Sequence, residues 1–193
     1  PPLPDSSTES VATTFDCETF FSTVASRKPF FQSTQLPIKQ WQSYEKGLII
    51  AGPTSPENPH AYCQAVSELA TILGWPVLAE GLSPLRNYAT LNKSLISTFD
   101  LVLRNPLQCE VLVPQAVIQL GPLPISKVLR QWLQTTQPQR WIIGFQRNLD
   151  PLHGPTHFLS ADMRCLEQLK SLESQLPTDY SKQWLSYEQT TRQ

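Results

Sequence analysis

The sequence has little charge, few glycines and no long apolar run. Charged residues make up 16% of the 193 residues, and the formal net charge is -1. No basic surplus is available to neutralise the phosphates of a nucleic acid or an anionic membrane face. The apolar runs, such as residues 47–51, have the length of a strand and fall far short of the roughly 20 residues that cross a bilayer. These features argue against nucleic acid as a partner and exclude a membrane span.

Pairs of closely spaced cysteines and an export signal are also missing. The four cysteines lie far apart without a C-x-x-C pair, and a domain of this size needs no disulfides. We therefore expect reduced thiols in a cytoplasmic protein. The first residues, PPLPD, contain no initiator methionine, basic n-region or apolar h-region. We interpret them as a cut made inside a longer protein.

Composition divides the chain into three parts. Residues 1–44 are rich in proline, serine and threonine, which predicts a linker whose apolar clusters at 20–21 and 30–31 contact a neighbour. Residues 45–175 alternate short aliphatic runs with segments of helical spacing, as in βαβ units. Residues 176–193 are predicted to be a second linker.

The middle part predicts an α/β, Rossmann-like three-layer domain with a mainly parallel sheet of about six strands. We place the strands at residues 48–51, 76–80, 101–104, 116–120, 141–145 and 156–159. Helical spacing runs from Ala61 to Leu73, where Gly74 ends the helix. Two more helices are predicted from the apolar spacing of two groups of residues, which are Ile125, Leu129, Trp132 and Leu133, and Leu166, Leu169 and Leu172.

Familiar site motifs are incomplete. The turn after the first strand, AGPTSP at 51–56, lacks two of the glycines of a dinucleotide fingerprint. His153 and His157 are separated by Gly-Pro, so no helix places both on one face for zinc. Ser43 and Lys46 match the S-x-x-K spacing but precede a strand and lack the companion motifs.

The segment LGPLPISK at 120–127 runs from the end of a strand through a turn into a helix. Ligands of open α/β sheets bind at such places. Ser126 and Lys127 are therefore candidate ligand contacts. By composition alone, however, a polar serine of the first helical turn and a solvated surface lysine are the simpler interpretation.

Blocks of sequence in a fixed order carry a family resemblance. They are GLIIAG at 47–52, LGWPVLAE at 73–80, LSPLRN at 82–87, FDLVLR at 99–104, PQAVIQLG at 114–121, SK at 126–127 and NLDP at 148–151. In this order they resemble the middle domain of the 2-succinyl-5-enolpyruvyl-6-hydroxy-3-cyclohexene-1-carboxylate synthases. The glutamine-rich composition and the proline-rich start resemble a cyanobacterial member.

The resemblance implies a longer transferase that uses thiamine diphosphate with Mg²⁺ or Mn²⁺. Such an enzyme decarboxylates 2-oxoglutarate and adds the succinyl unit to isochorismate, in menaquinone or phylloquinone biosynthesis. It also implies N- and C-terminal domains that hold the cofactor and the catalytic glutamate, and a homo-oligomer when complete. The C-terminal motif G-D-G...N is not in this chain. The chain alone is then expected to be inactive.

The resemblance implies that Lys127, Ser126 and Arg86 contact substrate. This sequence departs from the family pattern at two neighbouring positions, because Val128 stands where a basic residue can follow the lysine and Ile125 where a threonine can precede the serine. Two alternatives remain open, a stand-alone module that binds FAD or NAD and a non-enzymatic interaction domain.

Overall fold

The computed structural model describes residues 16–23, 35–144, 150–160, 165–166, 169 and 172–193. The chain divides into two units, Pro1–Phe30 and Phe31–Gln193. In the first unit, the described residues form helix α1 (Cys17–Thr23). The second unit contains the α/β domain.

The described residues of the second unit alternate helices with six strands. In chain order the elements are α2 (Ile38–Trp41), β1 (Gly47–Ala51), α3 (Pro59–Leu73), β2 (Val77–Ala79), β3 (Leu95–Ile96), α4 (Phe99–Val102), α5 (Pro106–Val111), β4 (Ala116–Leu120), α6 (Lys127–Thr136), β5 (Gln139–Gly144), β6 (Thr156–Ser160) and α7 (Asp179–Arg192). Short 3₁₀ turns at Pro84–Arg86 and Ala89–Leu91 follow β2. The sheet order is β3-β2-β1-β4-β5-β6, and every pair is parallel. The predicted parallel α/β sheet is confirmed.

The predicted strand at 101–104 is wrong. Leu101 and Val102 belong to helix α4, and the third strand is instead the two-residue β3. Phe99, Val102 and Leu103 are buried while Leu101 is exposed, which is helical spacing and not the alternation of a strand. A short apolar run is ambiguous between helix and strand, and here the tertiary contacts decide for helix.

Alternate residues of the strands point into two separate cores, which gives the three layers. One core contains Ile49, Ala51 and other strand residues that point to the same face of the sheet. They pack against α2, α3 and the buried Leu166 and Leu169. The other contains Leu48 and Ile50, packed against α4, α6 and α7. Both faces of the sheet are therefore covered, as the continuous apolar strands predict.

Helix α3 is capped at both ends, and its predicted end at Gly74 is confirmed. Asn58 caps its start, since Asn58 Oδ1 accepts from Ala61 N at 3.0 Å. Gly74 ends it in the left-handed conformation, with φ of 65°. A Cβ at Gly74 would lie 2.4 Å from the carbonyl oxygen of Leu176, so glycine also permits the close approach of the chain before α7.

The segments assigned to linkers contribute to the core. Trp41 of α2 is fully buried, in a cluster with β-strand residues, although it lies within the predicted linker 1–44. In the predicted linker 176–193, α7 buries Trp184 completely, and Tyr180 Oη donates to Leu112 O at 2.7 Å. The segment 176–193, predicted to be a linker, therefore contains a helix that packs on the domain. Where the domain ends within a longer protein stays a prediction.

Three smaller predictions have mixed outcomes. Ile125 precedes α6 and is exposed, so it does not belong to the apolar face of that helix. Leu172 is likewise exposed. The side chains of residues 20–21 and 30–31, and parts of the predicted helix at 166–172, lie outside the described residues.

Candidate functional site

The carboxyl ends of the six described strands meet at one edge of the sheet because every pair is parallel. The central neighbours β1 and β4 send the chain toward opposite faces. β1 leads to α3 in one core, and β4 leads to α6 in the other. Ligands of open α/β sheets bind where the strand order reverses in this way. The candidate site therefore lies at the carboxyl ends of β1 and β4.

The switch-point loop, residues 121–126, is held from three sides. Gln119 and Arg130 donate to carbonyl oxygens of the loop at 2.9 and 2.7 Å. Glu80, which follows β2, accepts from the amide of Ile125 at 2.8 Å. Because β1 lies between β2 and β4, this last hydrogen bond crosses over the end of β1. The backbone entering α6 is therefore fixed before any ligand binds.

Ser126 and Lys127 occupy the start of α6. Ser126 Oγ accepts from Leu129 N at 3.1 Å as the helix cap and donates to Asp100 Oδ1 at 2.5 Å. Lys127 is the first helical residue and is exposed. The serine has a structural role in the chain itself, whereas the ammonium group of Lys127 remains in solvent beside the carboxyl edge.

Arg86 lies at the same edge, next to β2 and β3. Its Nη1 donates to Ser97 O at 2.9 Å and to Ala79 O at 3.4 Å, and the residue is exposed. Two backbone carbonyls at the ends of neighbouring strands thus orient the guanidinium without neutralising its charge.

A short segment, residues 97–100, lies next to both predicted contacts. Its first residue, Ser97, accepts the hydrogen bond from Arg86, and its last, Asp100, accepts the one from Ser126. We call it the bridging segment. The structure therefore brings the candidates Arg86, Ser126 and Lys127 to one edge of the sheet, with the bridging segment between the arginine and the serine.

Glu188 of α7 holds the bridging segment, and the sequence prediction missed it. Its carboxylate accepts from the amides and hydroxyls of Ser97 and Thr98, at distances from 2.5 to 2.9 Å. Burial alone would raise the pKa of Glu188, but these hydrogen bonds outweigh burial and lower the pKa. The spacing of Tyr180, Trp184 and Glu188 along one helical face was the signal available in the sequence.

A second charged cluster lies at the other end of the strands. Arg140 of β5 pairs with Asp150 at 2.5 Å, and both bond to Thr156 Oγ1. Burial alone would raise the pKa of Asp150, but the hydrogen bonds from Arg140 and Thr156 and the arginine charge lower it. Arg140 is 2% exposed, so this pair belongs to the core and not to a ligand site.

The turn after β1 does not suit a dinucleotide. A Cβ added to Gly52 would lie 1.8 Å from Pro122 O, so the switch-point loop already occupies the space beside the one glycine of this turn. Backbone approach of a pyrophosphate requires that space to be open.

The described residues also do not suit a metal ion. No group of three or more His, Cys, Asp or Glu side chains among them is placed to hold one. His157 stacks on Trp141 at 5.3 Å, and His153 lies in a turn with φ of 50°. Ser43 Oγ donates to Gln40 O, before β1.

Other features lie away from the carboxyl edge. An open groove lined by Lys46, Thr178, Asp179 and other residues lies where β1 and α7 begin. Cys17, Cys63 and Cys109 are free thiols, and burial raises the pKa of Cys63 to about 11. Within the described part of the chain, no helix has the length and apolar character needed to span a membrane.

The fold and the edge geometry define an open parallel α/β domain whose candidate ligand contacts lie at the topological switch point. The family model described as the middle domain of thiamine pyrophosphate enzymes matches residues 18–193. The chain belongs to this middle-domain family.

Similar proteins have one name in common. A 2-succinyl-5-enolpyruvyl-6-hydroxy-3-cyclohexene-1-carboxylate synthase from Acaryochloris marina is 45% identical over 99% of this chain and 34% of its own length. The synthase of the same name from Gloeothece citriformis is 43% identical over 99% of this chain and 34% of its length. The synthase of the same name from Trichormus variabilis is 48% identical over 82% of this chain and 28% of its own length. The chain thus spans about a third of the length of these curated relatives.

Proposed function

We propose that this chain is the central domain of a longer thiamine-diphosphate-dependent transferase. The whole protein decarboxylates 2-oxoglutarate and adds the succinyl unit to isochorismate, in menaquinone or phylloquinone biosynthesis. The observation that carries the proposal is the 45% identity to a synthase of that name over 99% of this chain, together with membership of the middle-domain family. The domain serves as scaffold and forms one side of the substrate pocket.

The electrostatics of the carboxyl edge support that role. Both substrates are dicarboxylates, and the edge presents two exposed cations, Arg86 and Lys127, on backbone that the domain has already fixed. The start of α6 adds a modest positive field beside Lys127. Because the guanidinium of Arg86 is already oriented, binding a carboxylate there orders little further side-chain motion.

The cofactors belong, in this proposal, to the N- and C-terminal domains of the same enzyme. Thiamine diphosphate supplies the thiazolium that stabilises the carbanion, with Mg²⁺ or Mn²⁺ at its diphosphate. The turn after β1 leaves no space beside Gly52 for a diphosphate, and the described residues include no metal-ligand cluster. No chemical step is therefore assigned to residues of this domain.

Apolar side chains beside the site support contact with those flanking domains. Leu82, Leu101 and Ile125 follow or lie next to β2, β3 and β4, and each is more than half exposed. Hydrogen bonds place them around the same edge, since Glu80 contacts Ile125 and Asp100 contacts Ser126. We further propose a homo-oligomeric, cytoplasmic enzyme from a cyanobacterium, in line with the organisms of the relatives.

The test compares the 193-residue chain with the full-length protein. We expect the full-length protein to bind thiamine diphosphate in calorimetric titrations with Mg²⁺ and to consume 2-oxoglutarate only when isochorismate is also present. We expect the isolated chain to do neither. A micromolar dissociation constant for thiamine diphosphate in the isolated chain would contradict the proposal, as would an open reading frame without a G-D-G...N motif after this domain.

A further inference from the structure

Glu188 is the most heavily hydrogen-bonded carboxylate of the described residues. Four donors from Ser97 and Thr98 converge on its two oxygens, and Arg192 Nε donates a fifth hydrogen bond at 2.7 Å. The residue is 5% exposed. Hydrogen bonds to an ionised acceptor are roughly twice as strong as neutral ones, so this carboxylate fixes its partners firmly.

The bridging segment, which Glu188 holds, contacts a candidate substrate residue at each of its two ends. Ser97 O accepts from Arg86 at 2.9 Å, and Asp100, in the first turn of α4, accepts from Ser126. The segment is therefore anchored by α7 on its inner side and contacts two candidate substrate residues on its outer side. Arg192 reinforces the anchor, because its Nη2 donates to Ser97 Oγ at 2.7 Å.

We propose that Glu188 is a positioning residue for substrate binding, which acts through the bridging segment on Arg86. The inference rests on the proposed function of the complete enzyme. Glu188 itself does not touch the substrate. The lowered pKa supports the assignment, because Glu188 stays a carboxylate at neutral pH and keeps accepting hydrogen bonds from both amides.

The expected signature is a change in KM with little change in kcat. In the full-length enzyme loaded with thiamine diphosphate and Mg²⁺, Glu188→Gln loses the charge and cannot accept all the hydrogen bonds. Arg86 then loses a fixed carbonyl partner, and we expect KM for one of the two dicarboxylates to rise about tenfold. We expect kcat to stay within twofold. Glu110→Gln, on the exposed side of α5, is the matched control and should leave both constants unchanged.

A double-mutant cycle separates positioning from general stability. If Glu188 acts through Arg86, then Glu188→Gln in an Arg86→Ala background should change KM by less than twofold, while the loss of thermal stability persists. If the two changes multiply in KM, Glu188 only supports the fold and the inference is overturned.

Two further outcomes keep this inference separate from the proposed function. An active Arg86→Ala enzyme with wild-type KM for both substrates overturns the positioning role and leaves the synthase assignment standing. A full-length wild type that binds cofactor but does not turn over overturns both. Should Glu188→Gln fail to fold, Arg192→Gln removes only the outer hydrogen bonds to Glu188 and Ser97, and a rise in KM of about twofold to threefold is then expected.

Discussion

Two largely buried carboxylates, Asp150 and Glu188, are stabilised in the same way but serve different surroundings. In both, hydrogen bonds outweigh the effect of burial and lower the pKa. The partners of Asp150 are the buried Arg140 and the half-buried Thr156. Those of Glu188 lead through the bridging segment to the exposed Arg86. A hydrogen-bonded carboxylate thus stabilises a buried arginine near the start of the strands, and another supports an exposed arginine at their carboxyl ends.

The largest effect should come from Asp150→Asn. Removing one partner leaves the Arg140 guanidinium buried without its counter-charge, and such a change typically costs about 3–5 kcal/mol. Urea unfolding of the 193-residue chain, which we expect to fold cooperatively, should show this loss of unfolding free energy. Asp179→Asn, at an exposed ion pair with Lys182, is the matched control and should have no measurable effect.

The comparison would fail if Asp150→Asn in a folded full-length enzyme changed the KM for either substrate. Its cluster lies near the beginning of β5 and β6, away from the carboxyl edge. A kinetic effect there would show that the two regions are coupled.

The second effect concerns Lys127 and should be kinetic. Lys127→Ala in the full-length enzyme should lower kcat/KM for one substrate by about tenfold to a hundredfold, because a charge-assisted hydrogen bond is worth roughly 1.5–3 kcal/mol. Stability should not change, since the side chain is exposed. Val128→Ala, a neutral neighbour, should act only through packing. If Lys127→Ala leaves both substrates within twofold of wild type, the domain is scaffold only.

A smaller effect is expected for the cap of α6. Ser126→Ala removes the acceptor for Leu129 N and the donor to Asp100, and the loss of such a cap costs about 1 kcal/mol of unfolding free energy. Ser126→Thr keeps a hydroxyl and should recover most of the loss. Equal stability of the alanine and wild-type chains in urea unfolding would rule out this role of the serine.

The smallest effect is the pH dependence that Glu188 contributes. Because its pKa is lower in the folded than in the unfolded chain, its stabilisation is fully present above the unfolded value of about 4.3 and is lost as the pH falls through the folded value. Thermal unfolding of Glu188→Gln should therefore depend less on pH below about pH 4.3 than that of wild type. An unchanged dependence would mean that the carboxylate is not held in this way.

Local signals predicted the parts of the fold that local physics controls. The spacing from Ala61 to Leu73 and the following Gly74 predicted α3, because capping and glycine conformation act over a few residues. The same signals failed at 101–104, where the three-residue apolar run Leu101–Leu103 suits a helix and a strand equally well. At α7 the spacing of Tyr180 and Trp184 was overlooked, because the buried face continues with the charged Glu188 and not with an apolar residue.

The order of residues along the chain also predicted only part of the candidate site. Ser126 and Lys127 follow a strand and begin a helix, so sequence order alone places them at a carboxyl edge. Arg86 was assigned only through the family resemblance, which carries no geometry. Its two carbonyl partners become visible only once β2 and β3 are paired.

Residue order along this chain was enough to predict alternating strands and helices, a sheet buried on both faces and the start of α6, because each depends on neighbours within a few turns or on simple burial of apolar surface. Tertiary structure alone decided the strand order, the role of α7 and the link from Glu188 to Arg86. Glu188 and Ser97 are 91 residues apart in sequence, and hydrogen bonds across such a separation form only when both elements pack on the same face of the sheet.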